Sequence, residues 1–150
     1  MNKIVSMDEI IPLIEEKINQ DGKVIFNPKG NSMFPTILEG VDTVTLVKPV
    51  FPLEMYSIVL FRSNEGNILL HRVIGFKNEK YELRGDNKYS SEENISKEQI
   101  LGVVETYTHE GDTVNAFGPD NKAYAKKRHK TINRRKRYLS IRRFFGRLKK

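Results

Sequence analysis

Apolar positions recur with a helical period only near the two ends of the chain. Between those ends they come in short runs separated by turn residues. Near the start, Ile10, Ile11, Leu13, Ile14 and Ile18 form one apolar stripe, which predicts a short amphipathic helix over residues 6–21. Ser6 and Glu9 have capping-box spacing and Gly22 is a stop signal, while Pro12 sets the start of the regular helix at or near itself. Runs rich in Val, Ile, Leu, Phe and Tyr predict strands at 23–27, 43–48, 57–62, 67–75, 80–84 and 101–107, with 113–117 a further candidate. Turn signals such as Asn64-Glu65-Gly66-Asn67 and Lys77-Asn78-Glu79 separate them. Short strands at hairpin spacing, with no helices alternating between them, predict a mainly β, antiparallel domain.

Beyond Pro119 the pattern changes. Residues 122–137 read as a basic linker, and then Tyr138, Ile141, Phe145 and Leu148 recur at helical spacing. Phe144 joins their side and Arg142, Arg143, Arg147 and Lys149 lie around it, which predicts a basic amphipathic helix. Charge divides at the same place. Residues 1–121 hold 12 Lys and Arg against 19 Asp and Glu, a net −7, whereas residues 122–150 hold 14 and none, a net +14. We therefore expect a domain over 1–121 and a linker with a helical tail over 122–150, the tail seeking anionic surfaces.

The chain has 150 residues, enough for one real core, and no cysteine, which excludes disulfides and thiolate chemistry. His71, His109 and His129 are too scattered to suggest a zinc site, and no cofactor is expected. No run approaches the ~20 apolar residues that span a bilayer. Asp8, Glu9, Glu15 and Glu16 interrupt the N-terminal apolar pattern, so that segment reads as neither signal peptide nor anchor. The expected location is cytoplasmic and peripheral at the membrane.

Three segments carry the candidate chemistry: Gly30-Asn31-Ser32-Met33-Phe34-Pro35, His71-Arg72-Val73 and Gly85-Asp86-Asn87. Gly30 permits a backbone that a side chain would block, Pro35 stiffens the chain after Ser32, and Met33 is placed to anchor inward while Ser32 faces a cleft. Backbone N–H groups around Ser32, in the Gly30-Asn31 turn, are candidates for an oxyanion hole. His71 interrupts an apolar strand, and an imidazole of ordinary pKa ~6.5 accepts a proton near neutrality. Arg72 faces the other side of that strand, where a carboxylate partner is its expected role. Taken singly, each segment also reads as structure: a turn, a buried histidine, a solvated acidic loop. Asp42 reads as an acid capping a turn.

Taken together and in this order, the segments resemble the signal peptidase I family of serine peptidases (S26 type). They are most similar to its endoplasmic-reticulum and archaeal branch, in which histidine replaces lysine as base. The resemblance covers about residues 24–104. It implies a coiled antiparallel β fold, Ser32 as nucleophile, His71 as general base, and an acid following Gly85-Asp86-Asn87. The branch's aspartate position falls at or next to Glu92-Glu93, so the third group is open among Asp86, Glu92 and Glu93, or a Ser–His dyad acts alone. The sequence departs from the family in lacking an apolar anchor before the serine, in having Gly30 where some members place a second serine, and in having Tyr56-Ser57 where many carry a Gly-Asp pair.

The function so implied is serine endopeptidase activity on signal or leader peptides of a preprotein. The alternative is a non-enzymatic module of the same fold whose basic tail binds nucleic acid or anionic membrane. The self-cleaving repressor type shares the fold but fits less well, because about 30 residues precede Ser32 and that type uses lysine as base. For the tail, Arg142, Arg143, Phe144, Phe145, Arg147 and Leu148 favour an anionic membrane surface over nucleic acid, since phosphate binding needs no Phe pair.

Overall fold

The computed structural model describes residues 7–148. Among these, one antiparallel sheet of eight strands forms the body. The strands are β1 (Lys23–Phe26), β2 (Val44–Val47), β3 (Ile58–Arg62), β4 (Ile68–Lys77), β5 (Lys80–Arg84), β6 (Glu92–Ile95), β7 (Ile100–His109) and β8 (Asp112–Asn115). Helix α1 (Met7–Asp21) precedes them; α2 (Pro119–Lys130) and α3 (Ile132–Leu148) follow. The spatial order is β1-β2-β7-β3-β4-β5-β6, with β8 beside β7. Long β7 makes this possible. Val103 pairs with both Val47 and Val59, and Tyr107 with both Val44 and Val114. One edge of β7 therefore serves β2 while the other serves β3 and then β8.

Alternation along β3 sends Ile58 and Leu60 to one face and Val59 and Phe61 to the other, and all four are buried. The first face packs with Ile14 and Ile18 of α1 and with Met33, Leu46 and Val104. The second packs Val59 and Phe61 with Val73, Leu83 and Ile95. Each such side chain contributes about 1.5–3 kcal/mol on leaving water.

The mainly β architecture agrees with the sequence reading, and the differences from it are local. Helix α1 runs through Pro12, which costs it a single backbone hydrogen bond near its start. Leu13, expected on its buried face, is 60% exposed. Ser6 of the expected cap lies outside the described residues, as do Lys149 and the side chain of Leu148. Strand β6 occupies the segment expected to be an acidic loop, held by the pairings Tyr81↔Ile95 and Leu83↔Glu92. The expected linker 122–137 is helix, shared between α2 and α3. The buried stripe of α2 is Asn121, Ala125 and His129, and small or polar side chains leave no mark on a hydrophobic period.

Candidate active site

Ser32 sits in the long loop between β1 and β2. Gly30 enters the turn at φ +88°, open space for glycine and strained for other residues. Met33 is 3% exposed in the first core, which leaves half-buried Ser32 facing outward, as the order of side chains in the loop predicted. Met33 accepts a bond from the Ile37 N–H at 3.0 Å, and Asn31 one from Phe34 at 3.1 Å. Strand β5 pairs with β4 only from Arg72 onward, so the earlier part of β4 leaves an edge free. The serine loop docks there, and Ser32 Oγ donates to the Leu70 carbonyl at 3.3 Å.

His71 follows on the same strand, opposite Val59 of β3. Its ring packs at 5.4 Å from that of Phe61. Both ring nitrogens are enclosed without a hydrogen-bond partner. Burial pushes the imidazole pKa down to about 4; the Lys88 ammonium adds to this and Asp86 opposes it. His71 is therefore neutral at pH 7. A buried polar group left unpaired costs about 1–3 kcal/mol, so it calls for an explanation.

Asp86 is not the partner of that histidine. Arg72, on the opposite face of β4, holds it with two parallel bonds, Nε to Oδ1 at 2.9 Å and Nη2 to Oδ2 at 2.8 Å. Thr36 Oγ1 also donates to Oδ2, and His129 Nε2 lies 2.7 Å from Oδ1. Arg84 Nε donates to His129 Nδ1 at 3.0 Å, so the proton of this ring sits on Nε2 and is given to Asp86. Four donors fill the carboxylate's accepting capacity. Burial pushes the Asp86 pKa up, but the bonds from His129, Arg72 and Thr36 outweigh it and hold it well below the usual carboxylate range. The expected carboxylate partner of Arg72 is thus found in Asp86.

The residues on either side of Asp86 reach the serine loop. Asn87 donates from its backbone N–H to the Ser32 carbonyl at 2.9 Å and from its amide to the Asn31 carbonyl at 3.0 Å. A Cβ on Gly85 would overlap the Ser32 carbonyl oxygen, so only glycine lets the two loops close. Helix α2 holds the same loop from behind: Arg128 Nε donates to the Asp86 carbonyl at 2.6 Å. Asp42 caps the loop's far end, accepting the Leu38 N–H at 2.8 Å.

Ser32 and His71 line one open cleft of about 300 Å³ with Gly30, Asn31, Leu69, Lys88, Ser90 and Glu92. They are not hydrogen-bonded to each other, since neither ring nitrogen has a partner. Glu92 reaches the cleft wall without bonding to His71. Glu93 is exposed, and its backbone carbonyl accepts from Asn64 at 2.9 Å. Lys88, Arg128 and His129 have roles here that the sequence did not signal. Lys88 stood beside the Gly85-Asp86-Asn87 motif without a pattern of its own, and the other two lay within an undifferentiated basic run.

An antiparallel β domain with a serine and a neutral histidine on one cleft has the form of a β-rich peptidase-like domain. The model of the Peptidase S24-like family matches residues 2–105, and the chain belongs to that family. The match spans every cleft residue and ends within β7, leaving β8, α2 and α3 beyond it. No curated protein and no solved structure matches the chain.

Proposed function

We propose that the protein is a serine endopeptidase in which Ser32 is the nucleophile and His71 the general base. One observation carries this reading: an unpaired, neutral imidazole shares a cleft with a serine whose loop is locked in place from three sides. Ser32 Oγ attacks the substrate's peptide carbonyl while His71 takes the hydroxyl proton. The C–N bond then breaks and His71 passes the proton to the leaving amine. Water, deprotonated by His71, attacks the resulting ester, and the proton returns to Ser32. Backbone N–H groups of the serine turn are the candidate donors to the oxyanion. With Asp86 saturated by other partners, the unit is a Ser–His dyad.

The resemblance to signal peptidase I supports signal or leader peptides as the substrate class. Labelling of wild-type protein by a fluorophosphonate probe tests the nucleophile. Ser32→Ala should abolish it and His71→Ala should slow it severely, with the double variant no worse than the worse single one. Near-normal labelling of His71→Ala would sink the mechanism.

For the C-terminal helix we infer an anionic membrane surface as the partner. Tyr138, Ile141, Phe144 and Phe145 are each at least half exposed on α3, among exposed Arg142, Arg143 and Arg147. No helix among the described residues is long and apolar enough to cross a membrane. Each basic residue near an anionic leaflet contributes about 1 kcal/mol. Phe144→Ser with Phe145→Ser should weaken cosedimentation with anionic liposomes. A protein that ignores such liposomes but binds nucleic acid tightly would refute the assignment.

A further inference from the structure

A second cavity, of about 440 Å³, lies against α3 and is lined by Tyr89, Arg134, Arg135, Tyr138 and Leu139. It adjoins the first. Tyr89 stands between Lys88 and Ser90, both of which line the Ser32 cleft, so one short loop forms a wall of each. Two tyrosines and a leucine supply its apolar lining, and its charge is all of one sign. Arg135 gives Nη2 to the Arg128 carbonyl at 2.9 Å, yet its Nε is enclosed without a partner. Among the described residues, the other buried side-chain polar atoms in that condition are the two nitrogens of His71. The Lys136 ammonium lies 5.7 Å from the Tyr89 ring centre. Burial, then neighbouring Arg128 and also Arg84, depress the Arg135 pKa, which marks a crowd of cations. No acid occurs after Asp120, and nearby Asp86 is saturated.

We propose that this groove binds an acidic segment of the peptide substrate, adjacent in the chain to the part that occupies the Ser32 cleft. The proposal rests on the peptidase reading for its occupant. Guanidinium forks match carboxylates in a two-pronged geometry, and the tyrosine rings and Leu139 accept the apolar side chains between them. Contact with the cleft decides for a peptide over other anions, because on the peptidase reading the neighbouring cleft is where a substrate chain binds. The groove thus selects which peptides the enzyme cuts, while the dyad cuts them.

The test uses full-length Ser32→Ala protein and two labelled peptides, one of alternating Glu and Leu and one of alternating Gln and Leu, with binding read by fluorescence anisotropy. The acidic peptide should bind about tenfold more tightly, and Arg134→Gln should remove most of that advantage. Arg135→Gln should do the same, with its urea midpoint showing that it folds. Tyr138→Ala should weaken both peptides. Equal binding of the two peptides, or an advantage that survives both Arg substitutions, overturns the proposal. So does phosphatidylglycerol-vesicle or inorganic-phosphate binding that depends on Arg134 and Tyr138 when the acidic peptide shows no such dependence. Fluorophosphonate labelling of Ser32 is read separately, in the full-length protein with no substitution. Labelling without peptide discrimination sinks the groove alone. Discrimination without any labelling sinks the peptidase reading and leaves an acidic-peptide site.

Discussion

Replacing Gly85 by alanine isolates the contact between the Gly85-Asp86-Asn87 segment and the serine loop. The backbone of Gly85 lies outside the left-handed region, so a methyl group is excluded by space and not by conformation. That methyl would overlap the Ser32 carbonyl oxygen and crowd His71 Cδ2 at 3.2 Å and Lys88 Cγ at 3.0 Å. The lysine stem can swing away; a backbone carbonyl cannot. One loop must retreat by a large fraction of an ångström, which strains or breaks the 2.9 Å bond from Asn87 N–H to the Ser32 carbonyl and the 3.0 Å bond from its amide to Asn31. Overpacking costs about 1–3 kcal/mol and each lost hydrogen bond about 1 kcal/mol. The stiffer unfolded chain returns about 0.4–1 kcal/mol. Net destabilisation should be about 2–3 kcal/mol in urea unfolding. A nucleophile misplaced on this scale should also be labelled by a fluorophosphonate about 100-fold more slowly. Gly146→Ala, where nothing lies within 4 Å, is the control and should be neutral or stabilising. A Gly85→Ala protein with wild-type unfolding and labelling rates would refute the view that this motif positions Ser32.

The acid limb of the activity profile should lie near pH 4, where buried His71 takes up its proton, and not at the ordinary histidine value of 6.5. Lys88→Met removes a cation that depresses this pKa and should move the limb upward. Stability follows with a definite sign. The unfolded state takes up this proton before the folded state does, so the His71 contribution erodes as pH falls from 6.5 towards 4, and His71→Gln should flatten that slope. Ending the chain at Gly118 removes α2 and strips Asp86 of His129 and Arg128, at an expected cost of about 3–5 kcal/mol in urea unfolding. Ending it after Asn133 keeps α2 and should cost about 1 kcal/mol. Glu92→Gln and Glu93→Gln should each leave peptide turnover within about threefold; a hundredfold loss in a folded Glu92→Gln protein would make Glu92 the third member of the unit.

The parts of this structure legible in the sequence are those written in hydrophobic period and in glycine and proline. The β strands that bury apolar side chains were readable within a few residues, as were the α1 stripe and the inward turn of Met33. Strand β6 was not, because only Ile95 of its four residues is buried and its glutamates read as solvated loop. Helix α2 was hidden for a related reason. It docks through Asn121, Ala125 and His129, and what holds it is a set of hydrogen bonds with Asp86 and Tyr107 from other parts of the chain. Hydrogen-bond partners distant in sequence have no period to detect.

The same reasoning explains why the motif's acid and a carboxylate-seeking Arg72 were each recognisable, while the pairing of the two was not. Gly85, Asp86 and Asn87 are adjacent in sequence but act on two different neighbours: Gly85 and Asn87 meet the Asn31–Ser32 backbone, while Asp86 binds the Arg72 guanidinium. Alternation along β4 sends His71 and Arg72 to opposite faces, and Asp86 follows the arginine. A carboxylate on that face cannot orient an imidazole on this one. It can fix the loop that fixes the serine, and α2 grips that loop through Arg128 and His129. The basic C-terminal segment is thereby part of the support for the candidate site, and its helix α3 carries the wall of the neighbouring groove. Residues 85–90 thus join the two features, with the Ser32 cleft on one side and the C-terminal helices on the other.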